Sequence, residues 1–580
     1  MFDILIKGGT VIDGTGSPGE VADVGVSDGL IVAIGQLDRP EHSAAKVIDA
    51  TNMVVCPGFV DPHTHYDAQL LWDPHATPSN IHGVTTAVMG NCGFTLAPVG
   101  NEADADYIRH MMVKVEGMPL EALENGFTWD WNTFGEYLDR LEDKVAINVA
   151  TMVGHCAIRR MVMGDEATAG EASQEQIASM KLLLAESIQA GGLGLSTTRS
   201  HTHSDGDGKP VPSRVASEDE LLQLCEVVGE HEGTTLEWAS SGCLSGFDES
   251  EVDLMANMSL RAGRPLNWNV LTIDSGRPDG YRNQLQAIEE VHERGASSIA
   301  LTMPVLVGMN MSFLTFCGLN LMPDWGPILG LPIDERIEKL RDPDVRRFLE
   351  ERAASPDAGV FSRLAGWGLY EIGDTFSAEN EGLKGAKIAD LARERGVRDC
   401  YCLLDIVLAD DLRTVLWPGP TDDDPASWNM RQSTWRHPQV MIGGSDAGAH
   451  LDRMSGAPYT TSWLHDTLHG KQLNTIEEAI HSLTQVPARL FGLRERGEIR
   501  EGWHADIVVF DPELVNSGDV VMANDLPGGA GRLVADSSGI VRVLVNGVVT
   551  VVDGVATNAL PGTVLRSGRD TETVSIPATL

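Results

Sequence analysis

A chain of 580 residues with 42% hydrophobic and 22% charged residues is ordinary globular material, too long for one simple core and best read as two or more domains. Its formal net charge of −41 repels phosphate backbones and anionic bilayers, so neither nucleic acid nor a membrane is expected as a partner. No run approaches the ~20 apolar residues of a membrane span, the opening reads as strand and turn rather than signal peptide, and eight scattered cysteines without a C-x-x-C pair suit a reducing, cytoplasmic setting.

Residues 3–7, 11–13, 21–26 and 30–34 read as short strands, with Gly8-Gly9, Asp13-Gly14 and Asp28-Gly29 as hairpin signals. The apolar run 53–60 then ends in Asp61-Pro62-His63-Thr64-His65. Side chains alternate along a strand, so His63 and His65 face one side together. Two converging imidazoles are half of a metal site.

Seven more apolar runs follow, at 84–89, 145–153, 194–196, 234–239, 265–271, 298–303 and 440–444. Amphipathic helices are predicted at 174–190, with Ser173 as N-cap, at 218–230 and at 281–294. Eight strands with helical crossovers predict an α/β fold, a TIM-like (β/α)8 barrel over residues 57–489. The stretch 304–438 is far longer than one crossover and predicts an insertion. Its Trp325, Trp367, Trp417, Trp428 and Trp435 suit a lid over the barrel mouth. Cys400-Tyr401-Cys402 within it reads as two strand positions. A strand at 505–510 and a hairpin over 539–552, turning at Gly547, close the chain. Residues 1–56 and 490–580 therefore predict one small β domain built from both ends.

Chemistry in such barrels sits at the C-terminal strand ends. After strand 2, Gly90-Asn91-Cys92-Gly93 holds a thiol beside the two histidines, a thiolate ligand for zinc. After strand 8, Gly444-Ser445-Asp446 offers a carboxylate that binds the metal edge and takes a proton from the attacking water. His155 after strand 3 and His450 just beyond Asp446 are candidates for orienting the scissile carbonyl or a ligand. His201-Thr202-His203 repeats the H-x-H spacing in a loop, read as solvated or substrate-contacting.

Together these residues resemble the amidohydrolase superfamily, in its N-acyl-D-amino-acid deacylase-like branch. The resemblance covers nearly the whole chain. It is carried by Asp3-Ile4-Leu5-Ile6-Lys7-Gly8-Gly9, Pro57-Gly58-Phe59-Val60-Asp61-Pro62-His63-Thr64-His65, Gly90-Asn91-Cys92-Gly93, Gly443-Gly444-Ser445-Asp446 and Gly502-Trp503-His504-Ala505-Asp506. It implies a barrel with a small β-sandwich from both termini, and zinc-dependent hydrolysis of an amide. His63, His65 and Asp446 match the branch's first-strand and last-strand ligands, and Cys92 its cysteine ligand. Arg453 matches an arginine that clamps the substrate carboxylate, a pairing suited to a bidentate guanidinium.

The chain also departs from that pattern. The branch carries histidines on strands 5 and 6, where this sequence has Glu237 and Asn269. Glu237 can still bind a cation through oxygen, and Asn269 offers a weak carbonyl donor. The expected cofactor is one zinc ion, at His63, His65 and Asp446 or with Cys92 and Glu237 completing the set. The second position is altered or absent. The expected activity is hydrolysis of a linear amide, an N-acyl (D-)amino acid, with a small-molecule substrate and the oligomeric state left open. Cleavage of a cyclic amide or imide, and a metal-poor scaffold without activity, are the rival readings.

Overall fold

The computed structural model describes residues 1–37, 42–314 and 317–578. The chain forms two compact units of a mixed α/β fold. One comprises Met1–Thr272, Pro278–Val305 and Asn429–Leu580; the other comprises Ile273–Arg277 and Leu306–Trp428.

The larger unit is built on parallel strands. They are β1 (Phe59–Asp61), β2 (Val84–Met89), β3 (Asn148–Thr151, continued by Val153–Gly154), β4 (Gly194–Thr198), β5 (Thr235–Ala239), β6 (Leu266–Asn269), β7 (Ser298–Thr302) and β8 (Val440–Ile442). Each overlaps one of the predicted runs. Strands β1, β2 and β3 pair in one parallel sheet, and the continuation of β3 pairs onward through β4, β5, β6 and β7 to β8 in a second. Just past β1 and β8, Thr64 bridges Ala447 in parallel. There His65 N donates to Ala447 O at 2.7 Å and Asp446 N to His63 O at 3.1 Å. Every residue of β2, β4, β5 and β7 is buried. That is why these strands read as continuous apolar or small-residue runs rather than as alternating ones.

Helices α1 (Glu102–Glu116), α2 (His155–Met163), α3 (Gln174–Gln189), α4 (Glu218–Gly229), α5 (Glu249–Ala262) and α6 (Pro278–Glu293) follow the strands. Ser173 caps α3 as predicted: its Oγ accepts from Gln176 N, and the Gln176 side chain returns to the Ser173 N–H.

Both chain ends contribute to one nine-stranded sheet, in which Ile507–Phe510 pairs antiparallel with Val54–Pro57. Asp28 and Gly29 both take positive φ, 50° and 79°, the two-residue turn that hairpins favour. Gly8-Gly9 is not a turn. One strand, Phe2–Val11, runs straight through, and the register shifts between Ile6 and Gly9 with Gly8 at φ 73°. A glycine pair marks a bulge as readily as a hairpin, and partner strands on both sides select the bulge here.

The smaller unit is largely helical, with Phe313, Trp325, Trp367, Tyr370 and Leu404 in its core. Trp325 Nε1 donates to Leu349 O at 2.9 Å. Cys400 and Cys402 lie on the helix Asp399–Ala409, not on a strand. That helix is apolar nearly all round and buried, so its sequence carries no amphipathic signature to separate it from a buried strand. No helix among the described residues is long and apolar enough to cross a membrane.

Candidate metal centre

The end of β1 carries His63 and His65, both fully buried, with ring centroids 5.3 Å apart. The turn after β2 brings in Cys92, whose Sγ lies 3.6 Å from His63 Nε2. The turn after β8 brings in Asp446, whose Oδ1 lies 3.1 Å from His65 Nε2 and 3.6 Å from His63 Nε2. One ligand atom each from His63, His65 and Cys92 falls within 4.8 Å of the others. Cys92, Asp446 and His450 all adopt left-handed backbone conformations, φ 55°, 58° and 51°. Such strain in non-glycine residues collects where side chains must be aimed at a site.

These spacings suit a metal ion. Bond lengths of about 2.0–2.3 Å to nitrogen, oxygen and sulfur in a tetrahedral shell put neighbouring nitrogen and oxygen ligands about 3.3 Å apart, and nitrogen and sulfur about 3.6 Å apart. Unmatched polar atoms point the same way. Glu237 Oε1, Asp61 Oδ2 and Asp67 Oδ1 are buried without hydrogen-bond partners. Asp61, Asp67, Glu116 and Glu237 are all buried carboxyl groups, which ionise together only beside a cation.

The electrostatics follow. Burial pushes the Glu237 carboxyl up to about 8 and those of Asp61 and Asp67 to about 6. Burial, then the charges of Glu237, Glu116 and Asp446, drives the Cys92 thiol well above its usual range. The thiol is therefore neutral until a cation displaces its proton. Burial opposes charge on both histidines. At His65 the carboxylates of Glu116 and Asp446 outweigh it and lift the pKa to about 10; His63 falls to about 3. Burial would raise Asp446, but His65, His450 and His63 outweigh it and hold the carboxylate ionised.

Glu237 braces the site from β5. Its register opposite Ser196 lets the Ser196 hydroxyl donate to Oε2 at 2.5 Å, and Cys92 N donates to the same oxygen at 2.9 Å. Asn269, at the end of β6, places its amide 3.3 Å from His63 Nε2. His450 Nε2 lies 3.6 Å from Asp446 Oδ2. Arg453 bonds Asp452 Oδ1 through Nε and packs over Gly117, where a Cβ would sit 3.1 Å from Nη2.

His155 does not meet its expectation. Both ring nitrogens are spent, Nδ1 on Thr197 Oγ1 at 2.9 Å and Nε2 on Glu220 Oε1 at 2.8 Å, and Arg159 Nε holds the same Glu220 oxygen at 2.9 Å. All three side chains are fully buried, so His155 offers no nitrogen to a substrate. The loop pair divides. His201 is exposed and bonds Ser241. His203 is half-buried against Phe94 and bonds Thr198 Oγ1 at 2.8 Å. Burial, then the nearby charges of His65 and His450, pushes His203 down to about 3. Sequence reading missed Glu116 altogether. It is the last residue of α1, 3% exposed, with Oε2 3.6 Å from His65 Nε2.

Comparison with known proteins agrees with this geometry. The sequence matches the Amidohydrolase family over residues 46–551. It is 30% identical over 530 residues to a D-aminoacylase of Alcaligenes xylosoxydans xylosoxydans, covering 89% of each chain. Among solved structures, a D-aminoacylase shares 26% identity with a TM-score of 0.64, covering 98% of this chain and 100% of the other. An N-acyl-D-glutamate deacylase of Bordetella bronchiseptica, solved with zinc and a phosphonate mimic of the tetrahedral intermediate, shares 25% identity with a TM-score of 0.62 over the same spans. A match across most of the chain, to relatives aligned nearly end to end, places this protein in the amidohydrolase family.

Proposed function

We propose that the protein is a metal-dependent amidohydrolase that cleaves a linear amide, an N-acyl (D-)amino acid, and that zinc is its metal. The observation that carries this reading is the convergence of His63, His65, Cys92 and Asp446 from three separate strand ends, with Asp446 3.1 and 3.6 Å from the two histidines and Cys92 3.6 Å from His63. The end-to-end likeness to D-aminoacylase supports a linear over a cyclic substrate. In this reading the parallel strands form a (β/α)8 barrel over 57–489 with an insertion at about 304–438, and residues 1–56 and 490–580 form a β-sandwich. The eight buried thiols fit a reducing, cytoplasmic compartment.

His63, His65, Cys92 and Asp446 would hold the ion, with Glu237 fixing the Cys92 backbone. A bound zinc ion supplies Lewis-acid polarisation of the amide carbonyl and acidifies water. Asp446 Oδ1 faces the two histidines, so Oδ2 is the oxygen that takes the proton of the attacking water and returns it to the leaving nitrogen. His450, beside Oδ2, steadies that carboxylate. Arg453 receives the substrate carboxylate, and Asn269 and His203 line the approach. The test is hydrolysis of N-acyl-D- and N-acyl-L-amino acids and of cyclic imides before chelation, after chelation and after zinc return. Zinc-dependent acyl release supports the proposal. Full activity of metal-free Asp446→Asn protein refutes it. Absence of both metal and hydrolysis assigns the chain a scaffold role.

A further inference from the structure

β5 and β6 bring Glu237 and Asn269 rather than imidazoles, yet the buried site is not short of donors, because one arrives from outside the strand ends. Glu116 closes α1. Gly117 follows at φ 59°, a left-handed position that favours glycine, and the Glu116 carbonyl accepts from His450 N. The helix terminus is thus tied to the segment that carries Asp446 and His450, and the Glu116 carboxyl is held inside the site.

Its position on the His65 ring is decisive. A carboxylate that merely orients a ligating histidine takes the ring nitrogen turned away from the metal. Glu116 Oε2 instead lies 3.6 Å from Nε2, the nitrogen that Asp446 Oδ1 approaches at 3.1 Å. His65 Nδ1, where a supporting carboxylate would sit, is buried without a hydrogen-bond partner, while Nε2 faces both carboxylates. The 3.6 Å separation is within a few tenths of an ångström of the ~3.3 Å edge between nitrogen and oxygen ligands of a tetrahedral ion.

We propose that Glu116 is a metal ligand, supplying from α1 a second carboxylate oxygen to a divalent cation held by His65 and Asp446. The inference rests on the metal-centre reading above. It implies a donor set richer in oxygen, and so more tolerant of manganese and cobalt beside zinc than a thiolate–imidazole site.

The test compares the full-length wild type with Glu116→Gln, using Zn2+ alone and Co2+ alone as probes. Zinc stoichiometry is measured after dialysis, affinity by competition with a chromophoric chelator, and ligand geometry by the visible d–d bands of the cobalt form. Glu116→Gln is expected to weaken zinc at least about tenfold, a loss already typical of removing only a supporting partner, and to alter the cobalt bands. Unchanged affinity and bands overturn the proposal. If Glu116→Gln does not fold, Glu116→Asp, which withdraws the oxygen by one methylene, is expected to weaken zinc in the same direction, and unchanged affinity there overturns it equally. A wild type that binds neither ion removes the metal-centre reading and this inference together. A wild type that binds zinc beside an unaffected variant removes this inference alone.

Discussion

Glutamine at position 220 would separate a buried structural network from the catalytic centre. Glu220 lies in the first turn of α4, fully buried, and its Oε1 holds both His155 Nε2 and Arg159 Nε. Neutralising it leaves the Arg159 guanidinium buried without a counter-charge, a change that costs about 3–5 kcal/mol. Arg159 keeps three carbonyl partners, Ala167, Pro212 and Gly170, at 2.6–2.9 Å, which places the cost at about 3 kcal/mol, the lower end of that range. With an unfolding entropy of about 2.1 cal/mol/K per residue, a cooperative unit of this size loses about 3 °C in Tm.

The pH dependence gives a second check. Burial raises the Glu220 pKa, but His155 and Arg159 outweigh it and hold the folded value below the ordinary one. A depressed carboxyl contributes stability that is fully present above its unfolded pKa of about 4.3 and lost as pH falls through the lower folded value. Thermal melts of wild type and Glu220→Gln should therefore differ by about 3 °C at pH 7 and converge below about pH 4, with kcat/KM changed by less than about twofold. Collapse of kcat with an unchanged Tm would refute the reasoning and return His155 to the catalytic machinery.

Asp446→Asn should lower kcat by about 10²–10⁴-fold, since the amide cannot accept the water's proton, and steady-state assays at saturating zinc would show it. Gly117→Ala places a non-glycine residue at φ 59° and a Cβ 3.1 Å from Arg453 Nη2. It should cost about 1–2 kcal/mol in denaturant titrations and raise KM for carboxylate-bearing substrates; a neutral result would show that this turn does not position Arg453. Ser196→Ala removes one of the two donors to Glu237 Oε2. Metal titration should find weaker zinc binding, because the carboxylate that fixes the Cys92 backbone is less firmly held, while unchanged affinity would separate Glu237 from the metal centre.

Much of this was legible in residues that are neighbours along the chain. Strand alternation alone puts His63 and His65 on one side, and runs of buried apolar residues mark the parallel strands that carry them. Cys92 and Asp446 were readable because each lies in a glycine-flanked turn just past such a run. His155 lies in an equally suggestive place, and nothing local distinguishes it. Its ring is claimed by Thr197 and Glu220, and only packing brings α2 and α4 together.

The sequence by itself therefore determined most of the parallel-strand runs, the donor types at the strand ends, and glutamate and asparagine rather than histidine at positions 237 and 269. Those properties follow from short-range backbone geometry, with periods of two along strands and 3.6 along helices. Only the tertiary structure decided which donors share a cavity. It turned His155 toward Glu220, brought His203 of the loop pair near the site and left His201 exposed. It set the carboxylate of Glu116, which no motif marks along the chain, against Nε2 of His65. The physical reason is that burial and charge act through space. A carboxyl at a helix terminus is solvated in the unfolded chain and becomes a candidate ligand only when folding removes its water and presents it to an imidazole.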